Sequence, residues 1–307
     1  MGNASKKFII DIGSNSVRML AAEVSGTSVN QLAKALESTR LYEGMFKFGG
    51  SLTTEAMHRT VKAVEKFRQQ AKAMGIDDIR CFATEAVRNA ENREEFLELV
   101  REHTSLEVDV LTKEREARAA FYGAGFNGRY GIIDIGGAST ELAVGSSKNV
   151  EYTKSLPMGA VKALEMYPLG DIADELTMEA MLQWISCVID ENLADIGDMA
   201  RDTVFVGVGG TVTTIAAIKA HMPKYDPAKI QGMILEAQEI EKLKVKLAGT
   251  TLAQRRKMIG MPAERADILL GGVIILLSLM KRLGLSELRA SDSDNLEGYI
   301  KMTSAGL

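Results

Sequence analysis

A short strand–turn–strand pattern occurs twice in this chain of 307 residues and constrains its fold more than any other feature. Residues 7–16 read Lys-Phe-Ile-Ile-Asp-Ile-Gly-Ser-Asn-Ser, and residues 17–24 favour a second strand. Residues 130–139 read Tyr-Gly-Ile-Ile-Asp-Ile-Gly-Gly-Ala-Ser, and residues 142–144 resume a strand. One supersecondary unit used once in each half of a chain predicts two related domains.

The remaining pattern favours an α/β class with two domains. Residues 53–74 and 177–196 are predicted helices, and strand-like apolar segments alternate with helical ones along the chain. A glycine-rich stretch at 123–129 is the predicted boundary. We predict domains at residues 1–126 and 127–307, which is an ordinary size for each, and the last helix could pack back on the first domain.

Charge and cysteine content exclude several classes of protein. The formal net charge is -4, so no overall basic field favours a nucleic acid polymer as partner, and a polyanionic ligand needs a local positive site. Two cysteines cannot form a disulfide framework or a zinc site, which favours a cytoplasmic location. The apolar run 268–280 is too short to span a membrane and predicts a buried helix, so we expect no membrane contact.

The two glycine turns are candidate phosphate-binding loops. Glycine lets an anion approach the backbone, and successive backbone N–H groups form an anion nest. Ordinary hairpin turns are the alternative, but two copies in register and a third Gly-Gly-Thr turn after a strand favour phosphate. An arginine could clamp phosphate with two hydrogen bonds. The predicted phosphate-binding residues are Gly13, Ser14, Asn15, Ser16, Arg18, Arg88, Gly136, Gly137, Ala138, Ser139, Thr140, Gly209, Gly210 and Thr211.

Acidic residues at the ends of buried strands are candidate metal ligands. Asp11 and Asp134 each end an apolar strand, where a carboxylate is costly unless something pairs with it. A hydrated Mg²⁺ would pair with it, although each aspartate could instead cap its own turn. Glu141 stands where the first copy has Arg18, which suggests that one loop clamps anion and the other holds metal. The predicted metal ligands are therefore Asp11, Asp134 and Glu141.

The chain resembles the exopolyphosphatase/guanosine pentaphosphate phosphohydrolase (Ppx/GppA) family in its short two-domain form. The segments that carry the resemblance are the two turns and residues 84–92, 116–118, 156–160, 207–214, 225–227 and 265–267. The resemblance implies two ribonuclease-H-like domains of the actin/sugar-kinase/Hsp70 superfamily with a cleft between them. It also implies that Glu116, by spacing alone an ordinary solvated glutamate, is the catalytic carboxylate that orients and deprotonates water. Asp134 and Glu141 match the family's metal and water carboxylates and complete the predicted catalytic set.

The implied function is an exopolyphosphatase, which hydrolyses the terminal phosphoanhydride of inorganic polyphosphate with Mg²⁺ or another divalent cation. Three alternatives stay open. These are a guanosine pentaphosphate 5'-phosphohydrolase, a non-catalytic sensor of guanosine penta- or tetraphosphate or of polyphosphate, and an ATP-dependent kinase of the same superfamily. A homodimer is also left open.

Several positions depart from the pattern of the family that the chain resembles. Lys113 and Arg115 replace the first Gly and the first Glu of Gly-x-Glu-Glu-Ala, and they could add positive charge near the ligand. In the other departures Ala138 replaces a Gly, Glu85 a Ser, Asn89 an Asp and Gln231 a His. Glu116 and Asp134 are retained, so the resemblance still implies hydrolysis.

Overall fold

Each half of the chain is built on one mixed β-sheet. A computed structural model describes residues 4–26, 28–201 and 203–305. The chain divides into unit 1, which contains Met1–Gly123 and Asn295–Leu307, and unit 2, which contains Ala124–Asp294.

Unit 1 contains a five-stranded sheet in the order β3-β2-β1-β4-β5. The first three strands in sequence are antiparallel neighbours, whereas β4 lies parallel to β1 and β5 parallel to β4. The strands are β1 (Ser5–Ile12), β2 (Ser16–Ser25), β3 (Ser28–Ser38), β4 (Ile79–Ala83) and β5 (Val108–Val110). The helices are α1 (Thr54–Ala73), α2 (Glu85–Arg88), α3 (Arg93–Thr104), α4 (Lys113–Ala124) and α12 (Asn295–Ala305).

Unit 2 contains a six-stranded sheet in the order β10-β11-β9-β6-β7-β8. Its strands are β6 (Arg129–Ile135), β7 (Thr140–Ser146), β8 (Asn149–Leu156), β9 (Val204–Val208), β10 (Ile234–Glu236) and β11 (Glu287–Ala290). Its helices are α5 (Ala160–Met166), α6 (Glu175–Asn192), α7 (Gly209–Lys219), α8 (Pro227–Ile230), α9 (Ala237–Ala248), α10 (Leu252–Arg255) and α11 (Leu269–Leu283), with 3₁₀ turns at Gly197–Ala200 and Ala263–Arg265.

The two sheets repeat one topology. In each, an antiparallel three-strand meander is followed by parallel strands on the side of its first strand: β4 and β5 in unit 1, and β9 and β11 in unit 2. This repetition is what the duplicated sequence pattern predicts, and the predicted α/β class of two ribonuclease-H-like domains is confirmed.

Each unit has its own apolar core. In unit 1, α12 contributes Leu296, Tyr299 and Ile300 to a cluster with Ile9 and Phe82, and the Tyr299 and Phe82 rings stack with centroids 4.6 Å apart. In unit 2, α11 is buried along most of its length. The predicted buried helix at 268–280 is therefore confirmed as α11. Within the described residues, no helix has the length and apolar character that crossing a bilayer requires.

Candidate functional site

The first glycine turn, residues 13–16, is closed by a hydrogen bond from Gly13 N to Ser16 O of 3.0 Å. The carbonyl groups of Ser14 and Asn15 accept backbone N–H groups from residues 39–42 at 2.8–3.1 Å. In a trans peptide the carbonyl and the following N–H point in opposite directions. The N–H groups of Asn15 and Ser16 are therefore directed away from residues 39–42, as an anion nest requires.

The second turn, residues 136–139, is closed in the same way. Gly136 N donates to Ser139 O at 3.0 Å. The carbonyl groups of Gly136 and Gly137 accept N–H groups from the first turn of α5 at 2.8–3.0 Å. The N–H groups of Gly137 and Ala138 consequently point away from α5. The two turns thus share the closing hydrogen bond, whereas the carbonyl groups that accept from the neighbouring segment lie one position earlier in the second turn than in the first.

The register of each hairpin places one residue pair just before the turn. Asp11 lies opposite Arg18 in β1 and β2, and directly opposite residues of an antiparallel pair share one face of the sheet. Arg18 donates from Nε to Asp11 Oδ2 at 3.0 Å and makes a second bond to the same oxygen from Nη2. The first hairpin therefore contains a largely buried ion pair. The predicted roles of Arg18 toward phosphate and of Asp11 toward metal stay predictions.

In the second hairpin the same register brings two carboxylates together. Asp134 lies opposite Glu141, and both side chains are buried. Glu141 Oε1 accepts a hydrogen bond from Ser155 Oγ at 2.8 Å. Gly209 adopts φ of +79°, and a Cβ there would overlap Asp134 Oδ1. The carboxylate of Asp134 therefore lies against the start of α7, where the helix dipole favours negative charge.

This carboxylate pair fits a divalent cation. Like charges directly opposite each other destabilise a sheet, and a bound cation would offset their repulsion. Mg²⁺ prefers oxygen ligands and commonly uses only one or two protein carboxylates, with water and phosphate completing its coordination. Among residues 4–26, 28–201 and 203–305, no group of three or more His, Cys, Asp or Glu side chains is placed to hold a metal. A cation here would thus need ligands from the substrate and from water.

The Gly-Gly-Thr segment forms the first turn of α7 and follows β9 directly. The guanidinium group of Arg265 lies so close to Gly210 that a Cβ at this position would overlap it. A helix N-terminus with an arginine beside it favours an anion. Arg265 was not among the predicted site residues. Its only sequence signal is its place in the segment 265–267, which resembles the family, because its distance along the chain from Gly210 hides their proximity.

Glu116, the predicted catalytic carboxylate, is buried in unit 1 rather than solvated. Its Oε2 accepts a hydrogen bond from Arg88 Nη1 at 2.7 Å, and the same nitrogen donates to Leu111 O at 2.7 Å. Arg88 also binds Glu85 through Nη2. The side chain of Arg88 is only 12 % exposed and those of both glutamates 5 %.

The charge on Arg88 is stabilised by its two carboxylate partners. Burial alone lowers the pKa of a guanidinium group, but Glu116 and Glu85 outweigh it, and the pKa of Arg88 lies above its ordinary value. In this arrangement Arg88 contacts carboxylates. Its predicted role in binding phosphate stays a prediction and would require it to share these contacts with the substrate.

The candidate residues of each unit gather where the inner strands end. Thr84, at the end of β4, donates from N to Ile12 O at 3.3 Å, so α2 and Arg88 begin beside the first turn. In unit 2, Asp134 is paired with Val208 at the end of β9, next to Gly209. Open α/β sheets bind ligands at the carboxyl ends of their strands.

The sequence profile of the Ppx/GppA phosphatase family matches residues 19–302. The chain belongs to this family. Its members are phosphoanhydride hydrolases, which confirms the predicted enzyme class at the level of the family.

Relatives and solved structures agree with this assignment. The chain is 30% identical to a bifunctional 3-dehydroquinate synthase/phosphatase of Fusobacterium nucleatum, over 95% of this chain and 45% of the relative. It is 28% identical to a guanosine-5'-triphosphate,3'-diphosphate pyrophosphatase of Aliivibrio fischeri, over 94% and 57%. The Aquifex aeolicus Ppx-GppA enzyme superposes with a TM-score of 0.79 at 28% identity, covering 97% of this chain and 99% of that one. The chain spans about half the length of the curated relatives it matches.

Two departures from the Ppx/GppA pattern have structural partners of their own. Arg115 forms two hydrogen bonds of 2.7 Å with the carboxylate of Asp109, which lowers the pKa of that carboxyl. Its charge is therefore largely neutralised locally. Gln231 accepts hydrogen bonds from Ser291 Oγ and Asp292 N at 3.2 and 3.0 Å, and so joins two segments of unit 2.

Proposed function

We propose that this chain removes the terminal phosphate of inorganic polyphosphate by hydrolysis, and thus acts as an exopolyphosphatase. The observation that carries the proposal is the pair of glycine turns, which share the closing hydrogen bond and each direct two backbone N–H groups away from the neighbouring segment. The preceding hairpin positions hold an arginine–carboxylate pair in one unit and a carboxylate pair in the other. A polyanion needs both positive groups and amide donors, and its hydrolysis needs a base.

In the proposed reaction, Glu116 orients a water molecule and accepts its proton. The water oxygen bonds to the terminal phosphorus while the bridging P–O bond breaks, and the shortened chain leaves with its charge. Catalysis of this kind depends mainly on positioning and charge neutralisation. Asp134 and Glu141 would hold a divalent cation, whose positive charge would stabilise the negative charge on the phosphate oxygens.

The direct test measures phosphate release from long-chain polyphosphate and from guanosine pentaphosphate, with Mg²⁺ and with EDTA. We expect metal-dependent release that is faster from polyphosphate. If neither compound releases phosphate and a guanosine polyphosphate stabilises the protein against heat, the results would favour the non-catalytic sensor over the hydrolase. Phosphorylation of a sugar by ATP would instead indicate the kinase.

The carboxylate pair leads to a prediction about metal. We expect Glu141→Gln to raise the Mg²⁺ concentration needed for half-maximal activity by at least about tenfold, because the removed charge would hold the cation. Stabilisation against heat by Mg²⁺ should weaken in parallel. The matched control is Glu151→Gln, on the neighbouring strand β8, where the side chain is exposed and pairs with Arg129. An unchanged Mg²⁺ requirement in Glu141→Gln would remove this pair from the metal site.

A second candidate substrate, guanosine pentaphosphate, is favoured by an exposed pair of aromatic side chains. Phe46 and Phe48 are 55% and 64% exposed, in a segment whose start binds the carbonyls of the first turn. The Phe48 ring packs on Gly44, where a Cβ would lie 3.3 Å from it. Exposed aromatic rings bind bases by stacking, worth about 1–3 kcal/mol per base. Polyphosphate has no base to stack.

This candidate is tested with the double substitution Phe46→Ala and Phe48→Ala. If a guanine base stacks here, kcat/KM for guanosine pentaphosphate should fall about tenfold, while the value for polyphosphate stays within about threefold. The control is Ile172→Ala, which removes an exposed apolar side chain from unit 2. An equal loss for both substrates, or no loss for either, would argue against a base-binding role.

A further inference from the structure

Two departures from the family pattern contact each other. Glu85 stands where the pattern has Ser, and Asn89 stands where it has Asp. In the structure Asn89 Nδ2 donates to Glu85 Oε1 at 2.7 Å. The two positions are four residues apart, or about one helical turn. The acid of the pattern has thus moved one turn along the chain, and an amide has taken its former place.

The relocated acid reaches the proposed base through one arginine. Glu85 Oε2 accepts from Arg88 Nη2, and Arg88 Nη1 donates to Glu116 Oε2 at 2.7 Å. Asn89, Glu85, Arg88 and Glu116 therefore form a continuous chain of side-chain hydrogen bonds. Glu85, Arg88 and Glu116 are largely buried, so a broken bond among them would leave a polar group without water to replace its partner.

We propose that Glu85 is a positioning residue, which holds the Arg88 guanidinium in the orientation that contacts Glu116. Asn89 fixes the carboxylate of Glu85, and Glu85 fixes the Nη2 edge of the guanidinium. Because the guanidinium is a rigid planar fork, a partner on its Nη2 edge also sets the direction of its Nη1 edge. The consequence for catalysis rests on the proposed function, in which Glu116 is the base.

Kinetics test this with one loss and one rescue. Glu85→Ser removes the acid, and Glu85→Ser with Asn89→Asp returns it to the position it has in the pattern. We expect the single variant to lose at least about tenfold in kcat with KM changed less than about threefold, and the double variant to recover to within about threefold of wild type. Glu91→Ser, which removes an exposed acid from the same segment, is the control.

A second measurement does not depend on activity. The guanidinium NMR signals of Arg88 in ¹⁵N-arginine protein can be assigned by their absence in Arg88→Lys. Slow rotation with separate Nη signals is expected in wild type and in the double variant, and faster rotation with merged signals in Glu85→Ser. Glu85→Gln, which keeps an acceptor for Asn89 but lacks the charge, serves if Glu85→Ser does not fold.

The possible results separate the two proposals. Unchanged Arg88 signals and an unchanged kcat after loss of Glu85 would overturn the positioning role. A loss of kcat that the double variant does not recover, with unchanged Arg88 signals, would also overturn it. If wild type hydrolyses neither compound, the proposed function fails, and the NMR comparison still decides whether Glu85 orients Arg88.

Discussion

Glu116→Gln is expected to lower phosphate release from polyphosphate by about 10³-fold, because a positioned general base contributes roughly 10²–10⁴ to a rate. The substitution keeps the shape of the side chain and an oxygen that can accept from Arg88 Nη1. It removes the capacity to take a proton and the negative charge that pairs with Arg88, which keeps Glu85 as its second carboxylate partner. Circular dichroism should therefore show a folded protein. Steady-state release of phosphate, measured with saturating Mg²⁺, gives the rate.

The same helix offers a matched control for this prediction. Glu114 also lies in the first turn of α4, but it is exposed and pairs with Arg118 at 3.2 Å. Glu114→Gln should keep the wild-type rate within about twofold, since exposed ion pairs contribute little. A Glu116→Gln enzyme that retains more than a tenth of the wild-type rate would mean that another group accepts the proton.

Gly298→Ala should destabilise unit 1 by about 2 kcal/mol. Gly298 is buried in α12, and a Cβ there would overlap the carbonyl oxygen of Ala119 in α4 and approach the amide of Gly123. Alanine gains about 1 kcal/mol over glycine within a helix. Overpacking against backbone costs about 3 kcal/mol, because backbone atoms, unlike a side chain, cannot move away by changing rotamer. The cost therefore exceeds the gain.

Two spectroscopic signals can locate this loss. Trp184 is the single tryptophan and lies in α6 of unit 2, so its fluorescence follows unit 2. When unfolding is followed by far-UV circular dichroism, which reports both units, we expect the urea midpoint of Gly298→Ala to lie below that of the wild type. The midpoint followed by Trp184 fluorescence should change less. Gly249→Ala is the control, because φ is not positive there and the nearest atom to a Cβ, Val245 O, is an ordinary 3.6 Å away. A Gly298→Ala protein as stable as this control would show that α12 and α4 can move apart at little cost.

The duplicated turn made much of the fold predictable. Buried apolar strands that end in Asp-Ile-Gly fix the positions of β1 and β6, and the seven-residue spacing fixes which residues face each other across each hairpin. The pairing of Asp11 with Arg18 follows from that register. Taken singly, each residue type instead suggests a ligand, a metal for Asp11 and a phosphate for Arg18.

Other features had little or no local signal. β3 carries polar residues such as Asn30 and Gln31 and is mostly exposed, so no apolar alternation marks it as a strand. It forms because the edge of β2 that does not face β1 offers backbone hydrogen-bonding partners. The contact of Arg265 with Gly210 and the link from Glu85 to Glu116 likewise depend on elements that are distant in sequence. Composition and periodicity describe neighbours along the chain and cannot reveal such contacts.

The discontinuity of unit 1 has a consequence for biosynthesis. During translation, the segment that becomes α12 leaves the ribosome only after the whole of unit 2 has been made. Until then, the nascent sheet of unit 1 lacks Leu296, Tyr299 and Ile300, and the apolar surface that they cover stays open to water. Unit 2 is continuous and has no such delay. Domains usually fold in the order in which they are synthesised. Here we expect unit 2 to finish folding before unit 1, and we expect chaperones to bind the incomplete unit 1.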